Sequence, residues 1–513
     1  MRQLIIIIFA FCFSLLGFTQ PNPQPKGITE KFFPDPDVEI NTPGFEKKRK
    51  FTDYEGMMAY LNERAEKHSD EMSISFIGES QKGKKIPMVH LNRDGGDDKL
   101  RVWIQGGLHG NEPASTEGVL FLIDQLLNDP ELSYLLDKLE IKIVPMANID
   151  GYLKNNRYAA NGLDLNRDQT KLIAQESVFL KQAFSDFNAH VGLDFHEYRA
   201  YRRDFTKLST FGVTNPYDVM FLYSSNLNVP ERLRNYTRDR FVADAEVILD
   251  LNDLSHHAYF SASTVLGDIH FKQGSLNARS SATSYALANT ISTLVEVRGV
   301  ALGKTSFKRR VYSTFLVGKS YLKTAYQNAE EVKEVLALSA RDKGEAVMKT
   351  KSRISEQTMT LIDIETEEKI ELKVKLREAW HSKAEMSRQR PTAYLILPGN
   401  EELVKKLKVL GITLDSLSVS KTIDVEKYKI TEYHQVAEKY EGQNRQMTAA
   451  KTSKVQKEFP VGTYVLRMDQ PRANLAIEVL EPEAPNSFVS FDVLHTEQGA
   501  ELPVYRYLLN EKF

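Results

Sequence analysis

Cysteine is almost missing from this chain of 513 residues: its single copy, Cys12, sits inside an apolar N-terminal run. Everything after it contains no thiol and no disulfide and must hold together on hydrophobic burial. An excess of charge of one sign is missing too. Lys and Arg total 67 against 69 Asp and Glu, so the formal net charge is −2. No global field draws such a chain to nucleic acid or to an anionic membrane, and neither is expected as a partner. Beyond the N-terminus no apolar run reaches the roughly 20 residues of a spanning helix. Internal repeats and extended low-complexity tracts are absent as well.

What is there begins with "MRQLIIIIFAFCFSLLGFTQPNPQPKG", in which Arg2 precedes an apolar run from Leu4 to Leu16 and then small and polar residues. That order reads as a secretory signal cleaved near Thr19, with an uncleaved anchor as the alternative. Cys12 lacks the small residues that usually precede a lipid-modified cysteine. Export to the periplasm or the extracellular space follows, with no stable membrane insertion after cleavage. A cysteine-free exported chain fits a bacterial envelope better than a disulfide-stapled module. Residues 1–19 are therefore expected to be signal and residues 20–50 an N-terminal segment.

From Phe51 to His68 apolar residues recur at helical spacing, and "SISFIGESQKGKKIPMVHL" then alternates as a hairpin around a Lys-Gly turn. Strand-like "RVWIQGG", helix-like "TEGVLFLIDQLL", strand-like "LEIKIVPMANIDG", a helix around "ESVFLKQAF" and the strands "HVGLDFHEY" and "ISTLVEVRG" follow, with a helix predicted from Tyr321 to Leu338. Such alternation predicts an α/β domain over residues 51–342, a mixed, mostly parallel sheet flanked by helices, with ligands at the carboxyl ends of its strands. Beyond about Lys343 the texture changes. Ile370, Leu372, Val374 and Leu376 alternate with charged residues as a strand with one wet face. "TAYLILP", "GTYVLRM" and "ANLAIEVLEP" read as further strand-like pieces, "EELVKKLKVLG" as a short helix, and Glu438 to Lys457 as a polar mobile loop. Residues 343–513 are thus expected to form a smaller, strand-rich accessory domain.

The polar motifs fall at strand ends. "GGLHGNEPASTEG" places His109 and Glu112 three residues apart in a glycine-rich turn directly after an apolar strand. Glycines let backbone approach a bound group, and imidazole with carboxylate suits zinc, which takes about three protein ligands in catalytic sites. An H-x-x-E match alone means little. His68 and Glu71 form one in a charged, solvated helix end. A third ligand is offered by His196 in "VGLDFHEYR", whereas His190 reads as a core histidine and the consecutive His256 and His257 as surface or wall residues. Glu197 next to His196 suggests H-E-x-x-H, but Ala200 occupies the last position. Between the ligand candidates lies "NIDGYLKNNRYAANGLDLNRD", carrying Arg157, Asn166 and Arg167; arginine suits bidentate recognition of a carboxylate.

Taken in order, these motifs resemble the zinc metallocarboxypeptidases of the pancreatic carboxypeptidase A and B type. That family shows H-x-x-E, N-P-D-G-Y, an arginine, D-x-N-R, a lone histidine and a glutamate on a late strand; Ile149 replaces the proline here. The resemblance spans roughly Phe51 to Leu338. It implies one zinc ion per chain held by His109, Glu112 and His196, with Asp164 orienting a ligating histidine. Arg157 would polarise the scissile carbonyl, Asn166 and Arg167 would hold the substrate's terminal carboxylate, and Glu296 would be the general base. The implied substrates are the C-termini of peptides or proteins. Glu296 also stands out unaided, because a charge interrupting the apolar strand "ISTLVEV" needs a partner or a task; an ion pair with Arg298 on the same strand face is the plain alternative.

Two departures stand against the family. Its mobile tyrosine lies some twenty residues before the glutamate, whereas Tyr285 lies just eleven before Glu296, so that role is not transferred. The stretch before Phe51 is also too short for an inhibitory pro-domain. Three other functions compete: an aspartoacylase-type deacylase of small acylated amino acids, which normally lacks the "DGY" and arginine arrangement; a cell-wall peptide hydrolase; and a non-catalytic binding protein on the same fold.

Overall fold

The computed structural model describes residue 22, residues 24–93 and residues 98–511, so the signal sequence expected over residues 1–19 lies outside the described residues. A central sheet of eight strands runs in the order Met72–Glu79, Lys85–Leu91, Leu139–Val144, Leu100–Gln105, Val191–Tyr198, Ile291–Arg298, Val219–Tyr223 and His256–Ala258. Its middle is parallel: Leu100–Gln105 pairs in parallel with both Leu139–Val144 and Val191–Tyr198, and the latter pairs in parallel with Ile291–Arg298. All eight residues of Val191–Tyr198 are buried, as expected for a parallel strand covered on both faces. The hairpin read from "SISFIGESQKGKKIPMVHL" forms one edge, antiparallel.

Helices cover both faces. Pro113–Asn128, nearly all buried, packs against Phe307–Gln327, and the two approach closely: a Cβ on Gly118 would stand 2.3 Å from Thr314. The helix expected from Tyr321 to Leu338 is in fact two, Phe307–Gln327 and Ala329–Arg341. Its true start was hidden because the buried Arg309 and Arg310 break the apolar pattern; they pair with Asp218 and Glu197.

The C-terminal region opens with a long hairpin, Ala346–Asp363 and Glu368–Arg388, which joins a five-stranded sheet with Val213–Thr214, Phe260–Val265 and Asp268–Gln273. A six-stranded antiparallel sheet follows, made by Asp415–Ser416, Tyr464–Arg467, Ala393–Ile396, Glu501–Tyr507, Lys421–Tyr440 and Gln443–Phe459. Two expectations are corrected here. The segment Glu438 to Lys457, expected to be a mobile loop, lies in the strands Lys421–Tyr440 and Gln443–Phe459 and the turn between them. "ANLAIEVLEP", expected as a strand, is the helix Ala473–Leu480, buried on every side.

Candidate active site

The strand Leu100–Gln105 ends mid-sheet, and Gly106 and Gly107 turn the chain towards His109, Gly107 with φ +64°, where glycine is at ease. The next glycine is obligatory for packing. A Cβ on Gly110 would stand 2.1 Å from the carbonyl carbon of Gly151, so the turn carrying His109 is pressed backbone to backbone on the turn of the "DGY" motif. Asn148 fixes that second turn: its Oδ1 accepts from the Gly151 amide at 3.0 Å and its Nδ2 donates to the Arg157 carbonyl at 3.3 Å. Two motifs forty residues apart in the chain thus form one unit. Glu112 directly precedes the helix Pro113–Asn128, whose Ala114 amide donates to Glu197.

Three side chains converge at this point, all buried. His109 Nδ1 lies 2.8 Å from Glu112 Oε1, His196 Nδ1 lies 2.8 Å from Glu112 Oε2, and the two Nδ1 atoms are 2.9 Å apart. The far nitrogens are engaged: His109 Nε2 faces Asp164 Oδ1 at 3.1 Å and His196 Nε2 faces Asp194 Oδ2 at 2.8 Å. With Nε2 donating to a carboxylate, each imidazole presents its Nδ1 lone pair to the other, a repulsive arrangement unless a cation or a shared proton lies between. Burial alone would push the Glu112 carboxyl up, yet the two histidines outweigh it and hold it far below the usual range. Burial likewise opposes charge on His196, but Asp194 and Glu112 outweigh it and raise its pKa well above normal. Carboxylates thus outnumber cations around these imidazoles, and the donor set, two neutral nitrogens and a carboxylate, is the set that zinc takes in catalytic sites. Among the described residues, His109, Glu112 and His196 are the one group of His, Cys, Asp and Glu whose ligand atoms lie close enough together to hold a metal ion.

Asp164 links the imidazoles to the guanidinium beside them. Its Oδ1 accepts from His109 and from the Asn166 amide, while its Oδ2 accepts from Arg157 Nε at 3.0 Å and Nη2 at 2.9 Å. Arg157 Nη1 lies 3.6 Å from Glu112 Oε1. Asn166 Oδ1 accepts from the Ser281 amide at 2.8 Å, and Arg167 Nη1 donates to the Asn166 carbonyl at 2.8 Å. His109, Arg157, Asn166, Arg167 and Glu296 all line one cavity of about 700 Å³.

Glu296 reaches that cavity from Ile291–Arg298, directly opposite His196 on the neighbouring strand. Its carboxyl is pushed up to about 7, first by burial and then by the charge of Glu112, against the pull of both histidines and Arg157. Arg298 does not serve as its counter-ion. That guanidinium donates to Gln24, Asn215 and Thr214 and stacks 4.2 Å over the Phe33 ring.

Comparison with known proteins meets this geometry. The family model described as zinc carboxypeptidase matches residues 57–207, a span holding His109, Glu112, Arg157, Asp164, Asn166, Arg167 and His196 but not Glu296. The chain is 29% identical to "Carboxypeptidase 2" of Trichophyton rubrum over 443 residues, covering 83% of this chain and 81% of that protein. It is 28% identical to "Carboxypeptidase 2" of Trichophyton tonsurans over 502 residues, covering 96% and 90%. A crystal structure of a metallo-carboxypeptidase from Burkholderia cenocepacia aligns with a TM-score of 0.41 at 16% identity, covering 54% of this chain and 69% of that one. Residues 57–207 carry a zinc carboxypeptidase domain.

The other histidines weighed above lie elsewhere. His68 faces Asn128 at 3.2 Å, and His190 accepts from the Arg101 amide at 3.0 Å with its pKa lowered to about 4 by burial and then by Arg101. His256 meets Asp250 and Glu246, and His257 stacks on Tyr217. Glu197 braces: it pairs with Arg310 and holds the Ala114 amide, tying the strand of His196 to the helix that follows Glu112. Tyr285 is buried beneath the sheet, its hydroxyl donating to Gln105 at 3.0 Å. Two residues of the site escaped the sequence reading. Asp194 shares a strand face with His196, so "DFH" carried a period-2 signal for it. Tyr259 lines the cavity beside Glu296, with its hydroxyl pushed up to about 12 by burial and then by Glu296. No spacing pointed to it.

Proposed function

We propose that this protein is an exported zinc carboxypeptidase that removes residues from the C-termini of peptides or proteins, with its chemistry carried by residues 51–342. The supporting observation is the convergence of His109, Glu112 and His196 at one point, with Glu296 beside them and Arg157, Asn166 and Arg167 in the same cavity. His109, Glu112 and His196 would hold the metal. Zinc, when bound, supplies a Lewis acid and lowers the pKa of a water towards about 7.

The protein's own groups divide the rest. Arg167, with Asn166, would pair with the free terminal carboxylate through parallel charge-assisted hydrogen bonds and so set the register from the chain end. Glu296 would take the proton of the attacking water as its oxygen bonds to the carbonyl carbon, and return that proton to the leaving nitrogen as the C–N bond breaks. Arg157 would meet the negative charge growing on the carbonyl oxygen. Its hold on Asp164 through Nε and Nη2 fixes it before the reaction begins, which is when preorganised charge is most useful.

Export is supported by the leader-like composition of residues 1–19, and among the described residues no helix is long and apolar enough to cross a membrane. Residues 343–513 would act as a brace. Glu478 accepts from Asn226 and Asn228 at 2.7 Å, and Lys406 donates to the carbonyls of Lys171 and Leu172. Metal analysis tests the site: about one zinc per purified chain is expected, and His109→Ala should lose both metal and activity. Full zinc occupancy in His196→Ala would exclude it as the third ligand.

A further inference from the structure

The cavity beside the metal site is more basic than removal of a C-terminal residue requires. Beyond Arg157 and Arg167, five cations line it: Arg199, Arg202, Arg203, Lys272 and Arg279. Three carboxylates share the lining, and two are committed, Glu197 to Arg310 and Glu296 to the proton transfer proposed above. Asp204 remains, accepting from the Thr264 hydroxyl at 3.1 Å. A chain of net charge −2 has gathered its cations here, and such a field favours anionic ligands.

Arg279 is the most pointed of them. Its Nε is buried with no hydrogen-bond partner among the described residues, and its guanidinium lies 4.6 Å from the centre of the Tyr440 ring. Burial, then the charges of Arg167 and Arg445, hold it below the usual arginine value against the pull of Tyr440 and Glu441, and an anion arriving at the unpaired Nε would favour its charged form. Tyr440 ends the strand Lys421–Tyr440, and the next residue, Glu441, accepts from the Asp164 amide through Oε2 at 3.1 Å. A hairpin tip from the C-terminal region is therefore fixed against the loop of Asp164 while its tyrosine faces Arg279. One carboxylate fills the fork of one guanidinium. Arg167 and Arg279 line the same cavity, so its walls offer two guanidinium groups to a ligand with two carboxylates.

We infer that this cavity selects peptides whose C-terminal residue has an acidic side chain, with Arg279 meeting that second carboxylate and Tyr440 positioning Arg279. The inference rests on the C-terminal peptide reading above. Its test compares the full-length enzyme on three peptides alike except for a last residue of Glu, Gln or Leu. The wild type should favour Glu over Gln by about tenfold or more in kcat/KM, with the gain in KM, and added salt should reduce it. In Arg279→Gln the Glu to Gln ratio should fall towards one. Tyr440→Ala should lower the Glu to Gln ratio while the Gln to Leu ratio holds, which a merely structural role in the hairpin would not do, and Tyr440→Phe, which keeps the ring, should retain it. Equal wild-type rates on the Glu and Gln peptides, with all three still trimmed from the end, would overturn this inference and leave the carboxypeptidase reading intact. An equal loss on all three peptides in Arg279→Gln would overturn it as well, since Arg279 would then hold the terminal carboxylate. Failure to trim any of the three would remove the reading on which it rests.

Discussion

Glu296 and His196 stand opposite each other in register on adjacent parallel strands, so a carboxyl pushed up to about 7 sits beside the imidazole proposed as a metal ligand. Strand pairing, not a loop, sets that juxtaposition, and it makes the proposed base a rigid part of the site.

Replacing Glu296 by Gln should therefore keep zinc content and thermal stability while removing a factor of about 10² to 10⁴ in turnover, since an amide cannot accept the water's proton. Steady-state kinetics with metal analysis on the same preparation checks this. Retained activity with lost stability would return Glu296 to a structural role.

A pH profile follows from the same group. The carboxyl must be ionised to act as base, so wild-type kcat/KM should show an acid limb falling about tenfold per unit, with its break below about 7 because a bound zinc ion favours the carboxylate. Loss of that limb in Glu296→Gln is the expected result, and an unchanged limb in the variant would contradict the assignment.

Asp194 holds His196 Nε2 at 2.8 Å and also accepts from the Ser281 hydroxyl. Asp194→Asn keeps the shape but removes the charge that favours the donating Nε2–H. Zinc affinity should weaken by about 10 to 100-fold, read by competition with a chromophoric chelator, while the melting temperature of the zinc-loaded protein changes little. Unaltered affinity would show that the contact does not tune the site.

Glu478 offers a test away from the chemistry. Burial raises its carboxyl from 4.5 to about 7, against the pull of Asn228 and Asn226. Between those values the folded state holds a proton that the unfolded chain releases, so this group's contribution to stability is full at low pH and is lost as pH rises through about 7. The loss amounts to about 3 kcal/mol. Glu478→Gln should therefore match the wild type near pH 5 and melt higher near pH 8. Parallel melting curves across that range would show that Glu478 titrates normally.

Much of the catalytic half was legible because its motifs impose local geometry: glycines at Gly107, Gly110 and Gly151 answer to a positive φ or to close backbone contacts. The fully buried strand Val191–Tyr198 showed as an apolar run interrupted by Asp194, His196 and Glu197. What was missed had no such signal. The hairpin around Tyr440 is wet along most of its outer length, so it lacks apolar alternation and read as a loop. Helix Ala473–Leu480 is buried on all sides, which erases the 3.6 period that distinguishes it from a strand. Tyr259 comes into the cavity through tertiary packing, which no spacing in the chain records.

The most direct test of the central claim is a mass-spectrometric time course on one peptide with a free C-terminus and on its C-terminally amidated twin. Arg167, held through Nη1 by the Asn166 carbonyl, places a cation where a free carboxylate would end. The free acid should lose one residue at a time from its C-terminus, the amidated twin should be nearly inert, and Arg167→Ala should lower the rate on the free acid by about two orders of magnitude. Equal cleavage of both peptides by the wild type, or internal cuts as the main products, would contradict it.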